Sequence, residues 1–191
     1  MDLRYRLAVV TGAGRDPGRE VAVALSRVGA AVLSVDSDLV AAEETAASAR
    51  AARVRTWALQ ADPARDDERR MLAARARDLG GMDLLVTATA VDLGARQHLT
   101  DLFLAGLAQR RGRRDGTPAI VHIGSAAELA TPGEPGRLPA DLTDPVSTDG
   151  ARVMAVVVGS PQRPLSGAPL GRVVVELLSR GAAGEVVEVA R

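Results

Sequence analysis

The chain has 191 residues with 24 Lys+Arg against 24 Asp+Glu, and this zero net charge argues against a nucleic-acid or anionic-membrane partner. Hydrophobic residues make up 47% and aromatic residues only 2%, so the core must be built from Val, Leu, Ile and Ala, without stacking platforms for single-stranded nucleic acid. The lack of cysteine removes any disulfide framework, thiolate nucleophile or Cys-based zinc site, and no apolar stretch reaches transmembrane length.

A mean hydropathy of +0.05 fits a soluble globular protein, and the length fits one domain, residues 1–191, able to bury a sizeable core. The opening "MDLRYRLAVV" is too short and too charged for a signal peptide, so a cytoplasmic protein is expected. No metal site is expected. Every cation counted under Lys+Arg is arginine, and the one tyrosine is Tyr5.

In chain order, Leu7 to Val10 is a short continuous apolar run, the pattern of a strand buried on both faces. Val21, Ala24, Leu25 and Val28 follow at helical spacing, and Gly29 stops that helix. "AVLSV" is the second strand, "LVAAEETAASARAA" a helix and "VRTWALQ" the third strand. Asp66, Asp67 and Glu68 open a helix that carries Arg75 and Arg77 later, as its dipole favours. "DLLVTAT" is the fourth strand, "HLTDLFLAGLAQ" a helix and "AIVHIG" the fifth strand. "RVMAVVVG" is a sixth strand, "PLGRVVVELLSRG" a helix with Leu170, Val173, Val174 and Leu177 on one face, and "GEVVEVA" the last strand.

This alternation predicts an α/β fold: a Rossmann-like, doubly wound parallel sheet of about seven strands. One crossover breaks the rhythm. Residues 126–150 contain Pro132, Pro135, Pro139 and Pro145, which remove helix hydrogen bonds and predict an irregular Pro/Gly-rich loop.

The first strand runs into "TGAGRDPGRE". Glycines between a strand and a helix N-terminus make an anion site, because free N–H groups and the positive dipole end face a phosphate. Gly12, Gly14 and Gly18 provide the turning. Asp36 ends the second strand about 20 residues on, the offset of a carboxylate that binds ribose hydroxyls. Asp16 followed by Pro17 reads as an N-cap with proline at the first helical position, which sets a carboxylate where a pyrophosphate would lie. Arg15 would neutralise Asp16 or reach the ribose.

"VVTGAGRDPGREVAVALSRVGAAVLSVDSD" resembles the opening of the short-chain dehydrogenase/reductase family, whose loop reads TGxxxGxG. The likeness continues through "LQADP", "GMDLLVTATA", "IVHIGS", "RVMAVVVG" and "GEVVEVA", over nearly the whole chain. The resemblance implies an NAD(P)-dependent oxidoreductase fold, with Asp62 as the adenine-contacting acid. Asp36 favours NAD over NADP. Two departures weaken the cofactor: Asp16 replaces the middle loop glycine, and "TATA" replaces "NNAG", so Ala90 adds a Cβ beside the ribose and Thr87 and Ala88 stand for asparagines.

In that family a Tyr moves the substrate proton, a Lys four residues on lowers its pKa, and a Ser positions the carbonyl. Ser125 matches the serine. "GEPGRLPAD" occupies the Tyr/Lys segment, and with no lysine in the chain the pair is missing. His98 in "HLTDLFL" resembles the position of an active-site Asn in "NLTGVFL" and is a candidate replacement acid or base. Strand alternation separates His122 from Ser125, so His122 reads as a packed histidine. Asp141 and Asp144 read as solvated loop acids. Arg110, Arg111, Arg113 and Arg114 read as cations favoured at a helix C-terminus.

In the family, the helix bearing Tyr and Lys also covers the sheet and builds a dimer interface. Its replacement implies that "RVMAVVVG" needs another cover, either the Pro-rich segment itself or a partner in a homo-oligomer or a hetero-oligomer with a complete family member. The expected function is therefore a non-catalytic or partner-binding homologue with weak or lost NAD binding and possible small-molecule ligands. The alternatives are an oxidoreductase with an altered proton donor, or non-redox chemistry on a small metabolite.

Overall fold

A computed structural model describes residues 2–88, 93–109, 116–125, 129, 151–158, 170–182 and 184–189. Seven parallel strands form one sheet: β1 (Leu7–Thr11), β2 (Ala31–Asp36), β3 (Thr56–Gln60), β4 (Leu84–Thr87), β5 (Ala119–Gly124), β6 (Arg152–Val158) and β7 (Val186–Val189). Their order is β3-β2-β1-β4-β5-β6-β7, the doubly wound arrangement, with the chain reversing direction across the sheet between β1 and β4.

The strands form because their sequences are apolar on both faces. Every residue of β1 and β4 is buried, as a parallel sheet covered on two sides requires. Five helices supply the cover among the described residues: α1 (Gly18–Arg27), α2 (Leu39–Arg50), α3 (Asp66–Asp78), α4 (Leu93–Ala108) and α5 (Leu170–Arg180). One core cluster joins Val21, Ala22 and Leu25 of α1 and Val174, Leu177 and Leu178 of α5 to Val10, Val32 and Val86. The other joins Leu72 of α3 and Leu99 and Phe103 of α4 to Val9, Leu33 and Ile120.

Two helices differ from their sequence patterns. α1 ends at Arg27, so Val28 is a partly exposed C-cap, and Ala22 with Ser26 completes the buried stripe. α4 begins five residues before His98, because Ala95 and Arg96 are drawn into the core with Leu99 despite Gly94. The crossover at 126–150 lies outside the described residues apart from Leu129. That residue is fully buried, and its N–H donates to the Ser125 carbonyl at 3.0 Å, a helix-type bond directly after β5. Val153–Val157 of β6 are buried within the single chain, the outcome expected where the chain itself supplies the cover.

Candidate functional site

In a doubly wound sheet, the crevice lies beyond the C-terminal strand ends at the point where the order reverses, here between β1 and β4. The segments Gly12–Gly18, Asp36–Asp38, Ala61–Asp62, Ala88 and Gly124–Ser125 converge on that edge.

The loop after β1 is shaped by close packing. Gly12 has φ +69, a left-handed turn that glycine adopts without strain. A Cβ on Gly18 would stand 2.2 Å from the Gly12 carbonyl oxygen, so only glycine lets α1 start against the end of β1. A Cβ on Gly14 would meet Ala41 and the Asp36 carboxylate at 2.8 Å.

Asp36 is buried and turned into this loop. Its Oδ2 accepts from the Gly14 N–H at 2.9 Å, and its Oδ1 accepts from the Asp38 N–H at 3.1 Å. Arg19 donates to the Gly14 carbonyl at 3.0 Å and to Glu44 at 3.2 Å. Asp62 is half-buried; its Oδ1 accepts from Ala64 N–H at 2.9 Å while its own N–H donates to Glu68 at 2.6 Å.

Asp16 does not cap α1. The N-cap is Pro17, which makes no side-chain cap hydrogen bond, and the Arg19 N–H is taken by the Arg15 carbonyl at 2.9 Å. With that amide satisfied by backbone, the Asp16 carboxylate stays exposed beside an exposed Arg15. No ion pair joins those two side chains among the described residues. Pro17 itself has no N–H to offer an anion.

On the β4–β5 side, the register sets Thr87 opposite His122. Thr87 Oγ1 and His122 Nδ1 are hydrogen-bonded at 2.8 Å, and His122 Nε2 lies 3.5 Å from Thr100 Oγ1 on α4. The Thr100 hydroxyl proton goes to the Arg96 carbonyl at 3.1 Å. The consistent tautomer therefore carries its proton on Nε2 and accepts from Thr87 at Nδ1. Burial, and then the nearby Arg96 charge, lower the His122 pKa from 6.5 to about 3, so the ring is neutral and structural. Its two threonine partners come from strand register and helix packing, which no local sequence pattern reveals.

Ser125 is half-buried at the end of β5. His98 is exposed on α4, and no hydrogen bond joins it to Ser125 among the described residues. Ala90, Asp141, Asp144 and the arginines at 110, 111, 113 and 114 lie outside the described residues. Tyr5 precedes β1 and is 90% exposed, whereas Ser125 follows β5. All strands run parallel, so the two stand at opposite edges of the sheet, separated by a strand of at least roughly 15 Å.

A long-range contact that sequence reasoning missed ties α1 to α5. Glu20 Oε1 accepts from the Gly171 N–H at 2.7 Å, capping the first turn of α5 from 151 residues away. Among the described residues no group of three or more His, Cys, Asp or Glu is placed to hold a metal ion, and no helix is long and apolar enough to cross a membrane.

Comparison with known proteins agrees with this architecture. A family model described as short chain dehydrogenase matches residues 6–104. Curated protein sequences yield no match. Among solved structures, a hydroxysteroid dehydrogenase from Escherichia coli superposes with a TM-score of 0.76 at 17% identity, covering 98% of this chain and 96% of that one. A 7α-hydroxysteroid dehydrogenase complexed with NADH and 7-oxo glycochenodeoxycholic acid gives 0.78 at 16% identity, covering 98% and 93%. The Pseudomonas aeruginosa RhlG/NADP complex gives 0.74 at 21% identity, covering 99% and 96%.

Proposed function

The chain belongs to the short chain dehydrogenase family, and from that premise we propose that it is a partner-binding member without the conventional Tyr/Lys proton relay and with weak or lost NAD binding. The observation that carries this reading is the placement of its only tyrosine. Tyr5 stands at the sheet edge opposite Ser125, and the chain contains no lysine to lower a phenol pKa or hold a ribose. Hydride transfer to a carbonyl leaves an alkoxide that must be protonated, and His98, the candidate replacement acid, is exposed on α4.

The loop supports the same reading by its charge. Gly12, Gly14, Arg15, Asp16 and Gly18 would line any residual pyrophosphate site, with Asp36 and Asp62 toward the adenosine end and Ser125 toward the nicotinamide. The clashes that demand Gly14 and Gly18 are with Asp36, Ala41 and Gly12, so packing alone accounts for both glycines. The electrostatics do not fit. An exposed Asp16 carboxylate and an amide-less Pro17 stand at the helix end that would have to hold two phosphates. An unfavourable charge contact there weakens a bound nucleotide by ~1–3 kcal/mol. NAD remains favoured over NADP because Asp36 would repel a 2′-phosphate.

Calorimetric titration with NAD, NADH and NADPH, run beside Asp16→Gly, tests the proposal. Little or no binding by the natural chain, with binding gained by Asp16→Gly, is the expected pattern. Micromolar NADH binding by the natural chain together with NADH-dependent carbonyl reduction would overturn it.

A further inference from the structure

Among the described residues, β3 is the terminal strand of the sheet and only one of its edges is paired. The Arg55 carbonyl accepts from Val32 N–H at 3.0 Å, and the Ala61 N–H donates to the Asp36 carbonyl at 2.9 Å, so the odd-numbered residues bond to β2. Alternation along a parallel ladder then turns the N–H and C=O of Thr56 and Ala58 to the open side. Natural edges are guarded by charges, proline or bulges, and "TWALQ" contains no charge and no proline.

Beside this edge runs a groove of about 500 Å³, walled by Glu43, Ala46, Ala47 and Arg50 of α2 and by Thr56, Trp57 and Ala58. Glu43 and Arg50 lie at its two ends, seven residues and ~10.5 Å apart on one helix face. Neither takes part in an ion pair among the described residues. Thr56 Oγ1 donates to the Ala46 carbonyl at 3.0 Å, which fixes the middle of that helix face over Thr56.

We propose that this edge is a homodimer interface in which β3 pairs antiparallel with β3 of a second copy, about a two-fold axis that passes beside Thr56, midway between the two strands. The proposal rests on the partner-binding half of the reading above and is independent of nucleotide binding. One operator satisfies three kinds of group. Thr56 exchanges backbone bonds with its own copy, and Ala58 extends the ladder. On the side away from α2, the exposed Arg55 of one protomer falls opposite the half-buried Trp57 of its partner, a cation–π pairing. On the other side, the same axis passes Ala46 and Ala47 and sets Glu43 opposite the partner's Arg50, and Arg50 opposite the partner's Glu43.

The spacing is compatible. Strands in a sheet lie ~4.8 Å apart, so the axis runs ~2.4 Å outside β3. Because α2 packs on both β2 and β3, its own axis stands ~4.8 Å from the two-fold, and the paired helices are ~9.6 Å apart. That is within the 8–10 Å range of packed helices, and alanines at the crossing permit it.

Sedimentation velocity of the whole chain, with and without NADH, tests the proposal. The expected result is a concentration-dependent dimer that Glu43→Arg weakens about tenfold, and that Glu43→Arg with Arg50→Glu restores, because the charge pairs re-form with exchanged signs. Ala58→Pro removes an N–H that faces the open edge and no bond to β2, so it should give a folded monomer by circular dichroism. A chain that stays monomeric at about 100 µM overturns the edge pairing, as does a dimer indifferent to the charge exchange. A monomer that also fails to bind NADH would overturn this interface while leaving the function proposed above standing, with a different protein as partner.

Discussion

Acid should destabilise this fold through the buried ring of His122. The ring is 1% exposed between Thr87 and Thr100, and its pKa falls from 6.5 to about 3 on burial. Between those values the unfolded chain holds a proton that the folded chain refuses. Stability is therefore complete above pH 6.5 and is lost as pH falls toward 3. The full difference, 6.5 less about 3, is roughly 3.5 pH units, or about 5 kcal/mol at 1.36 kcal/mol per unit. By pH 5 roughly 1.5 units of that have been spent, a loss of about 2 kcal/mol. Urea unfolding followed by Trp57 fluorescence at pH 7.5 and pH 5.0 reads this difference directly. The control is His122→Gln, which keeps a neutral polar side chain between the threonines and should be less stable at pH 7.5 yet nearly flat over the same interval. Natural chain and variant losing stability in parallel would refute the assignment.

Gly18→Ala should cost about 3 kcal/mol in urea unfolding, since its Cβ would meet the Gly12 backbone carbonyl at 2.2 Å and no flexible side chain can yield. Arg53 is an exposed residue held at φ +60, so Arg53→Gly should raise the thermal midpoint, by up to about 1 kcal/mol of stability; an unchanged or lower midpoint would show that the turn carries no strain. Glu20→Ala should cost about 1–2 kcal/mol and raise amide exchange in the first turn of α5, which loses its cap at Gly171, while Glu20→Gln retains most of the protection.

The strands were legible because a parallel sheet buried on both faces writes itself as continuous apolar runs; "AIVHIG" coincides with β5 at both ends. Alternation also separated His122 from the Ser125 side of its strand. What sequence did not disclose were partners set by register, such as Thr87 with His122, or by packing across 151 residues, such as Glu20 with Gly171. The Asp16 cap illustrates a different limit. Residue preference allows Asp before Pro to begin a helix, but the Arg15 carbonyl reached the amide first, and a side chain with nothing left to cap turns to water. The early start of α4 is a further case: the core's demand for Ala95 and Leu99 outweighed the cost of Gly94 in a helix.

The strand order also fixes a timetable for assembly. β1, β2 and β3 are neighbours in space and close in sequence, so this half of the sheet closes through the two local crossovers that carry α1 and α2. The other side of β1 must wait: the Leu7 N–H finds its acceptor on Asp83, 76 residues later. During synthesis, the central strand therefore stands with one ladder formed and one apolar edge open until β4 leaves the ribosome. That interval, more than any feature of the finished molecule, is when a chaperone has something to hold.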